Sequence, residues 1–144
     1  MLHLLTQCMV PPRAGTIPIF IFESPLLDTF VAAKNCFSSP LSSSMCNAKA
    51  MKVLDLAGLS AGSGCAKEFG VFNVYTIAYI PGTIPECLFS MPLLQALDLS
   101  GNGIKSKVFP LGRNSTLRNL SLAYNRLFGK RDFCFFDYHS FSGI

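Results

Sequence analysis

The chain has 144 residues, of which half are hydrophobic and only 14% are charged. Its length suits one domain, and its charged fraction lies well below the roughly 25% of an ordinary globular domain. The formal net charge of +4 comes from Lys and Arg residues spread along the chain. Nucleic-acid binding calls for a clustered basic stripe, so we expect no nucleic-acid partner. No apolar run reaches the roughly 20 residues that a membrane-spanning helix needs.

Residues 1–14 are weakly patterned and are left unassigned in the expected domain organisation. The segment is briefly apolar, but no basic residue precedes the apolar part, and Pro11 and Pro12 end it early. It is therefore a poor secretory signal. We expect an extracellular or secretory-side location if a signal lies upstream, and a cytoplasmic location otherwise.

Residues 15–50 form a degraded copy of a repeat that returns later in the chain. The stretch that begins G-T-I-P at Gly15 matches the stretch that begins G-T-I-P at Gly82, with an offset of 67 throughout. Phe30 and Ala32 stand where the later copy has a pair of leucines, and Asn35 keeps its asparagine. An offset that holds over a whole segment indicates an internal repeat.

Residues 51–81 restore the strand pattern with Met51, Leu54 and Leu56, although Leu59 stands where asparagine is expected. From residue 54 to residue 97 there are 43 residues, less than two turns of about 23 residues each. This spacing predicts one shortened turn in between, with its strand supplied by Val71–Ile80. Ile80 fits the repeat spacing when it is counted back from Gly82.

Residues 82–129 contain two complete copies of the pattern L-x-x-L-x-L-x-x-N-x-L, one beginning at Leu94 and the other at Leu117. Alternate side chains of an extended segment point to the same side. Leu97 and Leu99 therefore face the interior and Asp98 faces solvent, so we expect Asp98→Ala to cost about 0.5 kcal/mol or less. The asparagines stand where the chain leaves the strand, and a short amide there can bond main-chain groups of the turn.

The pattern, together with the G-x-I-P of residues 82–85, resembles that of plant-type, receptor-like leucine-rich repeat proteins. The resemblance covers about residues 15–129 and leaves residues 130–144 as an aromatic C-terminal tail. It implies an α/β solenoid with short parallel strands on a concave face and irregular, 3-10 or short helical segments on the convex side. We expect about four to five turns, incompletely capped. The family implies protein or peptide binding without catalysis, and we expect no cofactor or metal.

The outward positions on and beside the strands are the expected partner-binding residues, because stacked parallel strands place them side by side on the concave face. They are Lys52, Asp55, Gln95, Asp98, Ser100, Arg118, Ser121 and Tyr124. Two tripeptides match the N-x-S/T rule for glycosylation. Their acceptors are Asn114, in the loop before a strand and the more plausible of the two, and Asn119, at the concave edge.

The remaining reactive residues give no catalytic or metal signature. The six cysteines, at 8, 36, 46, 65, 87 and 134, contain no C-x-x-C pair, so zinc is not expected. They leave two readings open, disulfides in an oxidising compartment or reduced buried thiols, which are the commoner use. The only histidines, His3 and His139, lie in the weakly patterned ends, where a catalytic site lacks rigid support. We expect the protein not to be an enzyme.

An alternative to a binding module is a truncated or mispredicted product without independent function. It is motivated by the missing caps and by the shortened turn. Since the two complete copies are adjacent, we also expect cooperative stability to concentrate in residues 82–129. Main-chain amides before about Met51 and after Lys130 would then exchange quickly.

Overall fold

The computed structural model describes residues 2–5, 15–59, 80–111 and 115–129, with residues 2–5 described by their backbone. Five short strands form one parallel sheet in the order β1-β2-β3-β4-β5. Their bounds are Leu2–Leu5, Leu27–Val31, Val53–Asp55, Ala96–Asp98 and Asn119–Ser121. Three 3-10 helices precede β2, β3 and β4, namely η1 (Ile19–Glu23), η2 (Ser43–Asn47) and η3 (Glu86–Phe89).

The strands stack in the register that the repeat pattern predicts. Phe30 pairs with Leu54, Leu54 with Leu97, and Leu97 with Leu120. All four side chains are buried, since a strand side chain facing the core meets its equivalents in the neighbouring turns. The 3-10 helices stack in the same order, η1 beside η2 and η2 beside η3. This arrangement confirms the predicted leucine-rich repeat solenoid.

The degraded copy before residue 51 packs as well as the complete ones. Phe22 of η1 and Phe30 of β2 are fully buried, and their rings meet edge to face with centroids 5.1 Å apart. The buried side chains of the core extend along the chain from Ile17 to Leu120. The sheet also reaches into residues 1–14, because β1 pairs with β2. The packing therefore gives no reason for the turns before Met51 to fray first.

The prediction of a shortened turn between Leu54 and Leu97 is wrong, as the strand pairing shows. β3 pairs directly with β4, and no described strand lies between them. The segment Val71–Ile80, from which its strand was predicted, lies outside the described residues apart from Ile80. The 43-residue spacing is instead one ordinary turn that carries an insertion.

Ile80 marks where the repeat resumes. Its N–H donates to the carbonyl of Asn102 at 3.0 Å, as the N–H of Phe37 donates to the carbonyl of Leu59 at 2.9 Å one turn earlier. Phe37 comes two residues after Asn35, so Ile80 takes the place that residue 61 would have in an uninterrupted turn. Without the 19 extra residues, Leu54 and Leu97 would be 24 residues apart, the same spacing as Phe30 and Leu54. Ile80 thus keeps the register predicted from Gly82.

A disulfide joins Cys46 of η2 to Cys87 of η3, with Cα atoms 6.1 Å apart. Cys36 is disulfide-bonded as well. These cysteines therefore follow the first of the two readings left open by the sequence. The pairing could not be derived from spacing, because it depends on which turns become neighbours.

Candidate binding face

The solvent side of strands β2 to β5, here called the concave face, carries rows of side chains that run across the sheet. Residues paired in register stand next to each other, about 4.8 Å apart in a parallel sheet. Of the eight residues predicted to bind a partner, six fall into two of these rows, and Ser100 and Tyr124 lie in the turns after their strands. Each row is set by the pairing of buried residues beneath it.

The first row lies at the start of the strands and contains Lys52, Gln95 and Arg118. The N–H of Gln95 donates to the carbonyl of Lys52, and that of Arg118 to the carbonyl of Gln95, both at 2.8 Å. Gln95 and Arg118 are exposed. Lys52 is half-exposed, and its Nζ lies 4.0 Å from Oδ2 of Asp28, whose side chain is largely buried. Lys52 is therefore the more constrained of the two cations in this row.

The second row contains Asp55, Asp98 and Ser121, which are direct partners on β3, β4 and β5. Oδ1 of Asp55 accepts the N–H of Ala57 at 3.0 Å, and Oδ1 of Asp98 accepts the N–H of Ser100 at 2.8 Å. All three are half-buried. The expectation that Asp98 simply faces solvent is therefore incomplete, because its carboxylate also closes the turn after the strand.

The third group lies at the turn after each strand and includes Ser100 and Tyr124. At the equivalent position of four successive turns the residue takes a left-handed conformation, and these residues are Lys34, Gly58, Gly101 and Tyr124. Glycine adopts this conformation without steric cost, whereas a residue with a Cβ rarely does. Tyr124 does so with φ of 57° and an 88% exposed side chain. Its ring is thus presented to solvent at the edge of the concave face.

A further row was missed from the sequence. Thr29, Val53, Ala96 and Asn119 are direct partners in the middle of the sheet. Each stands immediately before a buried core residue of its strand, so the same alternation that identified Asp55 and Asp98 could have identified this row. Its side chains are small or short, which leaves the centre of the concave face shallow between the first and second rows.

Asn119, one of the two predicted glycosylation acceptors, lies in this middle row with an exposed side chain. A glycan there would cover part of the concave face. Asn114, the other predicted acceptor, lies outside the described residues.

Within the described ranges, no three His, Cys, Asp or Glu side chains come together to hold a metal ion. In that same part of the chain, no helix has the length and apolar content to cross a membrane.

These features define the fold of a leucine-rich repeat solenoid. The chain superposes on the ectodomain of the receptor kinase SOBIR1 from Arabidopsis thaliana with a TM-score of 0.66 and 24% identity, over 90% of this chain and 62% of that one. It also matches the Arabidopsis receptor kinase HAESA, solved with the peptide hormone IDA and the co-receptor SERK1, with a TM-score of 0.50 and 24% identity. That match covers 81% of this chain and 20% of HAESA.

The chain therefore spans less than two thirds of either structure, and at this level of identity the likeness concerns the fold. No protein-family model matches the sequence, and no curated protein matches it significantly.

Proposed function

We propose that the protein is a non-catalytic, receptor-like recognition module that binds an extended peptide or protein segment across its concave face. The observation that carries this proposal is the in-register pairing of β3, β4 and β5. It aligns the predicted binding residues into rows that cross several turns, and solenoids use such extended surfaces for their contacts. The HAESA structure contains a peptide hormone, which supports a peptide as the kind of partner proposed here.

The chemistry of the face supports a partner with both polar and aromatic contacts. Arg118 and Tyr124 are exposed at opposite ends of the strand β5 region, and Arg and Tyr are among the residue types enriched at binding hot spots. Asp55 and Asp98 are adjacent carboxylates, and along the strand direction they lie between the level of Arg118 and the level of Tyr124. A bound segment that runs across the strands would lie along the middle row of short side chains, with the basic row on one side and the acidic row on the other.

We also propose a location on the secretory side of the cell. The Cys46–Cys87 disulfide supports it, because disulfides persist in oxidising compartments and are rare in the cytosol.

Panning a displayed library of random linear peptides against the oxidised chain tests the function. Peptides selected on the natural chain are then measured on Gln95→Ala/Arg118→Ala/Tyr124→Ala, which removes three exposed side chains of the face. The matched control, Glu23→Ala/Glu86→Ala/Lys105→Ala, removes three exposed side chains elsewhere. We expect at least tenfold weaker binding for the first variant, since hot-spot truncations cost about 2 kcal/mol each, and less than threefold for the control.

Equal losses in the two variants, or losses in the control alone, would place binding away from the concave face. A chain that is folded by circular dichroism and selects no peptide would instead favour the alternative of a product without independent function.

A further inference from the structure

The Cys46–Cys87 disulfide lies at the junction between β3 and β4, which is also the junction that the insertion interrupts. Cys46 belongs to the turn that continues into β3, and Cys87 to the turn that continues into β4. From Phe30 to Leu54 there are 24 residues and from Leu97 to Leu120 there are 23, whereas from Leu54 to Leu97 there are 43. The covalent link therefore spans the longest connection between neighbouring strands from β2 to β5.

Cys46 also occupies a position that aromatic residues hold in the neighbouring turns. Phe22 stands eight residues before Phe30, Phe89 eight before Leu97, and Cys46 eight before Leu54. Both phenylalanines are fully buried, and Cys46 is 7% exposed. A cysteine side chain buries much less apolar surface than a phenylalanine, so this turn gives up core contacts at the place where it gains the disulfide.

We propose that this disulfide is a redox-dependent clamp that keeps the β2–β3 half of the solenoid joined to the β4–β5 half across the insertion. The entropic cost of closing a loop rises with its length, and a cross-link removes that cost by restricting the unfolded chain. The disulfide closes a loop over a sequence separation of 41 residues, and this loop contains the whole insertion. The disulfide therefore offsets the additional entropic cost of loop closure that the insertion causes.

The redox step is an ordinary thiol–disulfide exchange. A dithiol reductant gives two electrons and two protons, the Cys46–Cys87 bond breaks, and two thiols form while the reductant becomes a disulfide. The reverse step needs a disulfide-bearing oxidant, as found in oxidising compartments. In a reducing compartment the two halves of the solenoid are held by non-covalent contacts across the β3–β4 junction.

Equivalent main-chain amides report on the three junctions separately. Across β3–β4, the N–H of Leu56 donates to Asp98 and that of Gly58 to Ser100, at 2.8 and 2.7 Å. Across β2–β3 the equivalent donor is the N–H of Ala32, which bonds to Asp55 at 2.8 Å. Across β4–β5 it is the N–H of Leu99, which bonds to Ser121 at 2.9 Å. Hydrogen exchange of these amides can therefore be compared position by position.

The test compares the natural chain with Cys46→Ala/Cys87→Ala, because a reductant would also act on the disulfide of Cys36. We expect exchange at Leu56 and Gly58 to accelerate at least tenfold more than exchange at Ala32 and Leu99, as disulfide removal is commonly worth more than a factor of ten. An equal acceleration at all three junctions would show general stabilisation and overturn the clamp. No acceleration at Leu56 would overturn it as well.

A second comparison repeats the two alanine substitutions in Cys36→Ala chains with and without residues 61–79, because the deletion also removes Cys65 and Cys36 is disulfide-bonded. In the shortened chain the loop closed by the disulfide is 22 residues long, so the substitutions should lower the folding equilibrium constant roughly 2.5-fold less than in the full chain. The alanine at position 46 removes the same core packing in both chains, so this contribution cancels when the two changes in the folding equilibrium constant are compared. If the double variant of the full chain does not fold, the proposal requires that the shortened double variant does, and failure of both overturns it.

Discussion

The main-chain N–H of Leu59 donates to Oδ1 of Asn102 at 2.8 Å, although 43 residues separate them. The same side chain donates through Nδ2 to the carbonyls of Leu56 and Leu99, both at 2.8 Å, and the main-chain carbonyl of Asn102 accepts the N–H of Ile80. Asn102 is fully buried. One residue thus holds both ends of the insertion and joins two consecutive turns.

Replacing this residue should therefore be costly. Asn102→Ala removes bonds to three main-chain groups, but the carbonyl of Leu99 keeps a second donor, Nδ2 of Asn125 at 2.8 Å. The N–H of Leu59 and the carbonyl of Leu56 lose their bonds to Asn102, and each is worth about 1 kcal/mol or more when left unsatisfied. We expect a loss of about 2 kcal/mol or more in the free energy of unfolding, measured by denaturant titration. Asn125→Ala, the matched change one turn later, affects a half-buried amide. Because water can replace that amide, its cost should be about 1 kcal/mol, and equal losses would contradict the role given to Asn102.

Removing the insertion should leave the solenoid intact. Deletion of residues 61–79 creates Leu59-Ser60-Ile80, in which the apolar residue follows two positions after the turn residue, as in Asn102-Gly103-Ile104. The turn then has the ordinary length, and loop closure becomes less costly. We expect the shortened chain to be at least as stable as the full chain in thermal unfolding.

The control removes one residue more. Deletion of residues 60–79 joins Leu59 directly to Ile80 and moves the buried Ile80 out of its position. A misplaced core residue costs a few kcal/mol, so this variant should melt well below the first. Similar melting temperatures for the two deletions would argue against the register assigned to Ile80.

Most of the fold could be predicted from residues that repeat. The alternation around Leu97 and Leu120 specifies buried strands, and the constant offset identified Phe30 as their equivalent in a degraded turn. The spacing between Leu54 and Leu97 misled the prediction, because an insertion and a shortened turn give similar counts. Which of the two is present depends on the partner of the Ile80 N–H, and that partner is 22 residues away in the sequence.

The contrast between a buried and an exposed position that flank β4 gives a third prediction. Leu99→Asp places an uncompensated carboxylate in a fully buried site and should cost about 4 kcal/mol or more. Gln95→Ala removes an exposed side chain and should stay within about 0.5 kcal/mol. Equal shifts in the denaturation midpoint would overturn the strand register.

Asp98→Ala should fall between these two. Its carboxylate accepts the N–H of Ser100, and loss of a comparable capping bond costs about 1 kcal/mol. This revises the smaller cost expected from the sequence alone. A change below about 0.3 kcal/mol, which is within the scatter of neutral surface substitutions, would show that the bond adds nothing.

The candidate site was predictable in outline only. Outward positions follow from the period of two, and they correctly lie on the solvent side of the sheet. The link between Cys46 and Cys87 depends on long-range packing and could not be derived, because it joins two turns that become neighbours only when the solenoid stacks. The bonds of Asp55 and Asp98 are local, each to an N–H two residues further on, and the turn chemistry of Asp could have predicted them.

The central claim is that consecutive strands from β2 to β5 are direct neighbours in one sheet. Amide hydrogen exchange of the oxidised chain tests this most directly, at Ala32, Leu56 and Leu99, whose N–H groups donate to Asp55, Asp98 and Ser121. The account predicts that Leu56 is protected at least as strongly as the other two, because its strand is central in the sheet. Rapid exchange at Leu56 with protection at Ala32 and Leu99 would contradict it.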